Sequence, residues 1–149
     1  PEELAARGAT LFFSAHDGAT GYELRRTEGA AITTVKDISP GPRSAGITHL
    51  TLVGQQLFFR ARDGSLDEDD DALFVSDGSE GGTRRIAAVP YGAGVTELAA
   101  FGDKLVFTTP LLFDKKLWVS DGTPGNATPL DVNPGRASSA PRWQQSARR

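Results

Sequence analysis

Leu57-Phe58-Phe59 decides how this chain is read. Successive side chains of an extended strand point to opposite faces. Three large apolar residues in a row therefore need cover on both sides, as in a sheet held between two others. The run recurs as Leu11-Phe12-Phe13, 46 residues earlier, and as Leu105-Val106-Phe107, 48 residues later. Its flanks recur with it. Leu4 and Gly8, Leu50 and Gly54, and Leu98 and Gly102 precede the three runs at matching distances. Glu23-Leu24-Arg25-Arg26-Thr27-Glu28-Gly29, Ala72-Leu73-Phe74-Val75-Ser76-Asp77-Gly78 and Lys116-Leu117-Trp118-Val119-Ser120-Asp121-Gly122 follow them. Self-similarity at such a period marks a stacked repeat architecture.

The repeats run approximately 1–46, 47–94 and 95–149, and each divides into four short strands. The first strand is weak, at Glu3–Ala6, Thr48–Val53 and Thr96–Phe101, and ends in a glycine turn. The Leu-Phe-Phe run is the second. The third carries Leu24, Leu73 or Leu117. Asp77-Gly78 and Asp121-Gly122 then predict tight hairpin turns, because glycine accepts positive φ at little cost. Glu28-Gly29 is the imperfect first copy. Fourth strands are expected at Thr33–Ile38, Thr83–Val89 and Thr128–Val132, the last short or at an edge because of Pro129. Pro40-Gly41, Tyr91-Gly92 and Pro134-Gly135 close the repeats. Residues 1–7 have helical propensity, but their alignment with the strands at Leu50 and Leu98 argues for a strand. The tail after Arg142 departs from the pattern.

Four strands in roughly 47 residues is the size of a β-propeller blade. The expected fold is all-β, with three four-stranded antiparallel blades. Leu73-Phe74-Val75-Ser76-Asp77-Gly78-Ser79 and Leu117-Trp118-Val119-Ser120-Asp121-Gly122-Thr123 resemble the ELW-x-x-DGT repeat family. Val35-Lys36-Asp37-Ile38-Ser39-Pro40-Gly41 is similar to that family's closing stretch. The resemblance spans nearly the whole chain, to about Ser139. It implies a large bacterial protein, extracellular or on the cell surface, with propeller repeats. The match is uneven: Arg25 stands where the family has Trp, Ala87-Ala88 replaces Lys-Asp, and the third repeat has Thr109-Pro110-Leu111 in place of the earlier Asp-Gly.

Composition bounds the rest. A chain of 149 residues suits one domain, and 38% apolar residues suit a folded one. The net charge of −3 is concentrated in Asp67-Glu68-Asp69-Asp70-Asp71. No basic face points to a nucleic-acid partner, and no apolar run is long enough for membrane insertion by a helix. Cysteine is absent, so the redox compartment is not revealed. The chain has no methionine and starts at Pro1, which leads to the expectation of a piece cut from a longer protein. Propellers close with about 4–8 blades. Three blades therefore call for partners: further blades of a longer chain, or a homo-oligomer in which a dimer supplies six.

Candidate chemistry is sparse. Asp67, Asp69 and Asp71, with Asp63 just before them, alternate as the early ligands of a calcium loop do. A turn glycine after Asp71 and a Glu at the twelfth position are both missing, and a solvated acidic loop explains the run equally. Asp17, Asp63, Asp77 and Asp121 each precede a glycine, which is turn chemistry. Trp118, Phe74 and Arg25 share one repeat position. They stack on a glycan or fill the space between sheets. Tyr22, Tyr91 and Trp143 lie in loops or the tail as candidates for surface contact with a glycan or protein ligand. His16 and His49 have no metal-ligand partner at useful spacing, and no nucleophile elbow or phosphate loop is present. These features favour a non-catalytic module for binding or assembly. The alternatives are a hydrolase or lyase using Asp37, Asp131 or the acidic run, and a structural subunit that self-assembles.

Overall fold

The computed structural model describes residues 2–64, 71–87, 94–110 and 115–131. These form twelve strands and, among the described residues, no helix. The first sheet holds β1 (Glu2–Arg7), β2 (Thr10–Ala15), β3 (Glu23–Glu28) and β4 (Ala31–Lys36). The second holds β5 (Thr48–Val53), β6 (Gln56–Ala61), β7 (Ala72–Ser76) and β8 (Arg84–Ala87). The third holds β9 (Glu97–Phe101), β10 (Lys104–Pro110), β11 (Lys115–Ser120) and β12 (Thr128–Leu130). Each is four-stranded and antiparallel, with its strands ordered as in the chain. The described sheets do not close into a ring.

Register repeats along with sequence. Phe13 faces Arg25, Phe59 faces Phe74, and Phe107 faces Trp118. One residue back, Phe12 faces Arg26, Phe58 faces Val75, and Val106 faces Val119. A one-residue slip would turn every side chain to the wrong face, so three identical registers mean three identical demands for burial.

The second sheet shows both demands met. Leu57, Phe59, Ala61, Ala72 and Phe74 pack toward the first sheet with Phe12, Leu24, Val35, Ile38 and Ile47. Phe58, Leu73, Val75 and Ile86 pack toward the third with Val95, Leu105 and Phe107. Phe58 and Phe59 are adjacent in sequence, both essentially inaccessible to solvent, and belong to different cores. Fully burying such a side chain contributes roughly 1.5–3 kcal/mol.

The first strands of successive sheets lie side by side, β1 with β5 and β5 with β9. Bulges shape this edge. Register shifts at Glu3 and at His49, and both residues take positive φ (54° and 61°). The bulge frees the amides of His49 and Leu50, and the Glu3 carboxylate accepts both, at 2.9 and 3.4 Å. A second bulge in β4, and its counterpart in β8, leave Val35 and Ile86 as the extra residues. Both are buried in the cores.

One expectation is corrected. The tight two-residue hairpin belongs to the imperfect copy, since β3 ends at Glu28 and β4 starts at Ala31. Asp77-Gly78 and Asp121-Gly122 instead open longer loops, over 77–83 and 121–127. Their own side chains hold them out of the ladder. Ser76 Oγ accepts the Gly78 amide, and Asp77 Oδ1 accepts both the amide and the hydroxyl of Ser79. Ser120 and Asp121 repeat the device with the amides of Gly122 and Thr123. As Pro129 required, β12 is three residues long and lies at the sheet edge.

Candidate functional site

The shared aromatic position faces the preceding sheet. Phe74 stacks on Phe59, with centroids 5.7 Å apart and planes 16° apart, and is 3% exposed. Trp118 stacks on Phe107 at 6.2 Å and 10°. It packs against the core between the second and third sheets, and its Nε1 donates to Thr109 Oγ1 at 3.0 Å. The Lys116 ammonium sits 5.2 Å from its ring centroid, and the ring is half-buried. Both rings line an inter-sheet space. In the first sheet the position is Arg25, on the face turned away from the second sheet. Its Nη2 pairs with Asp17 Oδ2 at 2.5 Å and its Nε donates to the Ala15 carbonyl. A cation thus takes an aromatic's place where no described sheet precedes it.

The recurring Asp-Gly aspartates act on their own loops. Asp17 Oδ1 accepts the amides of Ala19 and Thr20 and the Thr20 hydroxyl. Those amides, with Arg25, hold its carboxyl well below the usual carboxylate range. Bonds from Ser79 lower Asp77, and bonds from Thr123 and Asn126 lower Asp121.

Of the candidate calcium ligands, Asp63 and Asp71 are among the described residues, and each faces arginine. Asp67 and Asp69 lie outside them. Asp71 is buried, and its carboxylate is taken by two arginines. Arg62 Nε donates to Oδ1 at 2.8 Å, and Arg60 bonds Oδ2 through Nε and Nη2. Asp63 pairs with Arg85 at 3.5 Å. No three of His, Asp or Glu form a metal-binding group among the described residues. Sequence reading missed this arginine set. The alternation of Arg60 and Arg62 was its only trace.

Tyr22 is the surface candidate that the fold leaves available. It is 37% exposed and its ring lies 5.8 Å from that of His16, also exposed. The loop beneath it is fixed: the Tyr22 amide donates to Ser44 Oγ at 3.0 Å, and the Ala45 amide donates to the Tyr22 carbonyl at 2.9 Å. Gly21 packs so closely on the backbone of Arg43 that any side chain there would collide with it. Tyr91 and Trp143 lie outside the described residues.

Glu23 is the other residue that the sequence did not flag. It is fully buried, and its carboxylate accepts the amides of Ile38 at 2.7 Å and Ser39 at 3.2 Å. Burial pushes its pKa up to about 7, aided by the nearby negative charge of Asp37 and opposed by those amides. A raised carboxylate is a common sign of a general acid. Here both oxygens are spent on backbone amides and no solvent reaches them. The group pins the closing stretch of the first repeat to β3. Asp37 and Asp131, the alternative catalytic acids, are exposed and belong to different sheets' connections.

Among the described residues no helix is long and apolar enough to cross a membrane. No protein-family model, curated protein or solved structure matches the chain.

Proposed function

We propose that this chain is a non-catalytic β-propeller repeat module of the ELW-x-x-DGT kind, used for binding or assembly outside the cell or at its surface. One observation carries the reading: three sheets of identical strand order and register pack face to face in chain order, with their first strands adjacent. Radial repetition around an axis gathers first strands in this way. The positions that recur between repeats support it too, because they are spent on structure. The Asp-Gly pairs build loops, Glu23 ties a connection, and Trp118 and Phe74 fill joints between sheets. Among the described residues, what remains for recognition is the loop surface around His16 and Tyr22. An aromatic pair of that kind suits the face of a sugar ring or an apolar peptide side chain.

A glycan array, run beside a pull-down from bacterial surface extracts, tests the proposal. Binding to one class of glycan or protein, lost in Tyr22→Ala at an unchanged melting temperature, is the expected result. Clean negatives on both platforms refute the binding role.

A further inference from the structure

The joint between sheets is built the same way twice. Gly78 of the second sheet sits against the first. A Cβ placed on it would stand 3.1 Å from Phe12 Cζ and 2.8 Å from Arg7 Nη2. Gly122 of the third sheet sits against the second in the same manner, 3.1 Å from Phe58 Cζ and 2.8 Å from Gln56 Oε1. Polar ties fasten the edges. Arg26 donates to the Gly78 carbonyl at 2.9 Å, and Arg7 donates to the Gln55 carbonyl at 2.6 Å.

Each end sheet carries half of this joint. Gly29 is the first sheet's counterpart of Gly78 and Gly122, yet no atom lies within 4 Å of its Cβ position. Val106 is the third sheet's counterpart of Phe12 and Phe58, and it is only half-buried. Exposed apolar residues mark the same two faces. Leu4 and Ile32, at 63% and 60%, lie on the outward face of the first sheet, and Phe101 and Leu130, at 74% and 42%, on that of the third. These residues lie on the first and last strands of their sheets, and so flank each half-joint rather than form one continuous patch. Glu97 of the third sheet also stands at the position of Glu3, whose carboxylate spans the first joint to the amides of β5; within the chain Glu97 Oε1 accepts from exposed Lys115 Nζ at 2.8 Å, which leaves Oε2 to face outward.

We propose that the outward face of the third sheet seats the first sheet of a second copy of this chain, so that two copies complete a six-sheet ring. This rests on the blade reading above. The two faces differ and every copy carries both, so the contact is head-to-tail and repeats the internal joint. Six sheets fall within the range at which propellers close, about 4–8. In the new joint Phe101, the counterpart of Arg7, lies over Ala9, the counterpart of Gln55. Val106 lies under Gly29, and Glu97 faces the amides of Glu3 and Leu4.

Light scattering on the size-fractionated chain reads the assembly directly. The dimer mass is expected for the parent. Ile32→Glu and Phe101→Glu, each a change at an exposed residue, are each expected to give the monomer mass with an unchanged β-sheet spectrum. A parent that stays monomeric at its highest soluble concentration overturns the proposal, as does a dimer untouched by both variants. Because the chain lacks cysteine, a second measurement is clean. Ala9→Cys and Phe101→Cys are purified separately and treated with a short bismaleimide. Cross-linking on mixing, but in neither protein alone, is the head-to-tail signature. Cross-linking of Phe101→Cys to itself refutes it. Negative glycan and pull-down results leave these masses unaffected, so the two proposals fail separately.

Discussion

Replacing Glu23 by glutamine keeps the shape of a fully buried side chain and removes its charge. In the folded protein this carboxyl titrates near 7, against 4.5 for the ordinary group. Between those values the folded state holds a proton that the unfolded chain has given up. Stability therefore falls as pH rises through this window and levels off above it. At roughly 1.4 kcal/mol per pKa unit, the ionised carboxylate costs about 3 kcal/mol once pH exceeds 7. About 2–3 kcal/mol of that change falls between pH 5 and pH 8. Glu23→Gln has no such dependence. Its amide oxygen still accepts from Ile38, while its NH2 group faces the Ser39 amide, a mismatch worth about 1–2 kcal/mol at every pH. Urea unfolding at fixed protein concentration, every half pH unit from 5 to 8, isolates the effect as parent minus variant. Asp17, Asp77, Asp121 and Glu97 have lowered pKa values, so their stabilisation is lost only at acid pH, and they cancel in the difference. The difference should swing by about 2–3 kcal/mol against the parent as pH rises. Asp37→Asn, which removes the neighbouring negative charge, should move the swing to lower pH. A difference constant to within about 0.5 kcal/mol, below what a buried carboxylate of this kind demands, refutes the assignment.

Three further outcomes follow from the packing. Gly78→Ala introduces a Cβ at φ 96° against Phe12 and should cost about 2–4 kcal/mol, whereas Gly54→Ala, at φ 59° in open space, should cost the chain about 1 kcal/mol by urea unfolding. Equal costs would show that the turn backbone, not the joint, sets the requirement. Trp118→Phe preserves the stack on Phe107 but strands the buried Thr109 hydroxyl, and a melting curve should register a loss of about 1–2 kcal/mol. Asp71→Ala takes from Arg60 and Arg62 the carboxylate they share, and chemical denaturation should show about 1–3 kcal/mol lost, with no recovery on adding calcium. Recovery with calcium would assign Asp71 to a metal rather than to the arginines.

The amino-acid order alone determined the strand count and the strand boundaries to within two or three residues among the described residues. Apolar residues that are adjacent in a strand must point to opposite faces. Leu57-Phe58-Phe59 thereby announced two cores before any coordinate was known, and Pro129, with no amide to donate, announced a short edge strand. The turn dipeptides misled, because Asp-Gly was read for its backbone alone. Ser76, Ser79 and Thr83 supply hydroxyls that turn a two-residue hairpin into a seven-residue loop, and which bonds form depends on where β8 begins. Only the tertiary structure decided the rest. Glu23 becomes a buried tie because the chain from Ile38 to Ala45 folds back over it. Asp71 meets Arg60 and Arg62 because β6 and β7 align in space. Phe12 lies under Gly78 because two sheets meet. These contacts join residues 9 to 66 positions apart, and a local pattern carries no record of such distances. Alternation within a strand is enforced by local geometry, whereas the partner across a joint is chosen only when whole sheets pack.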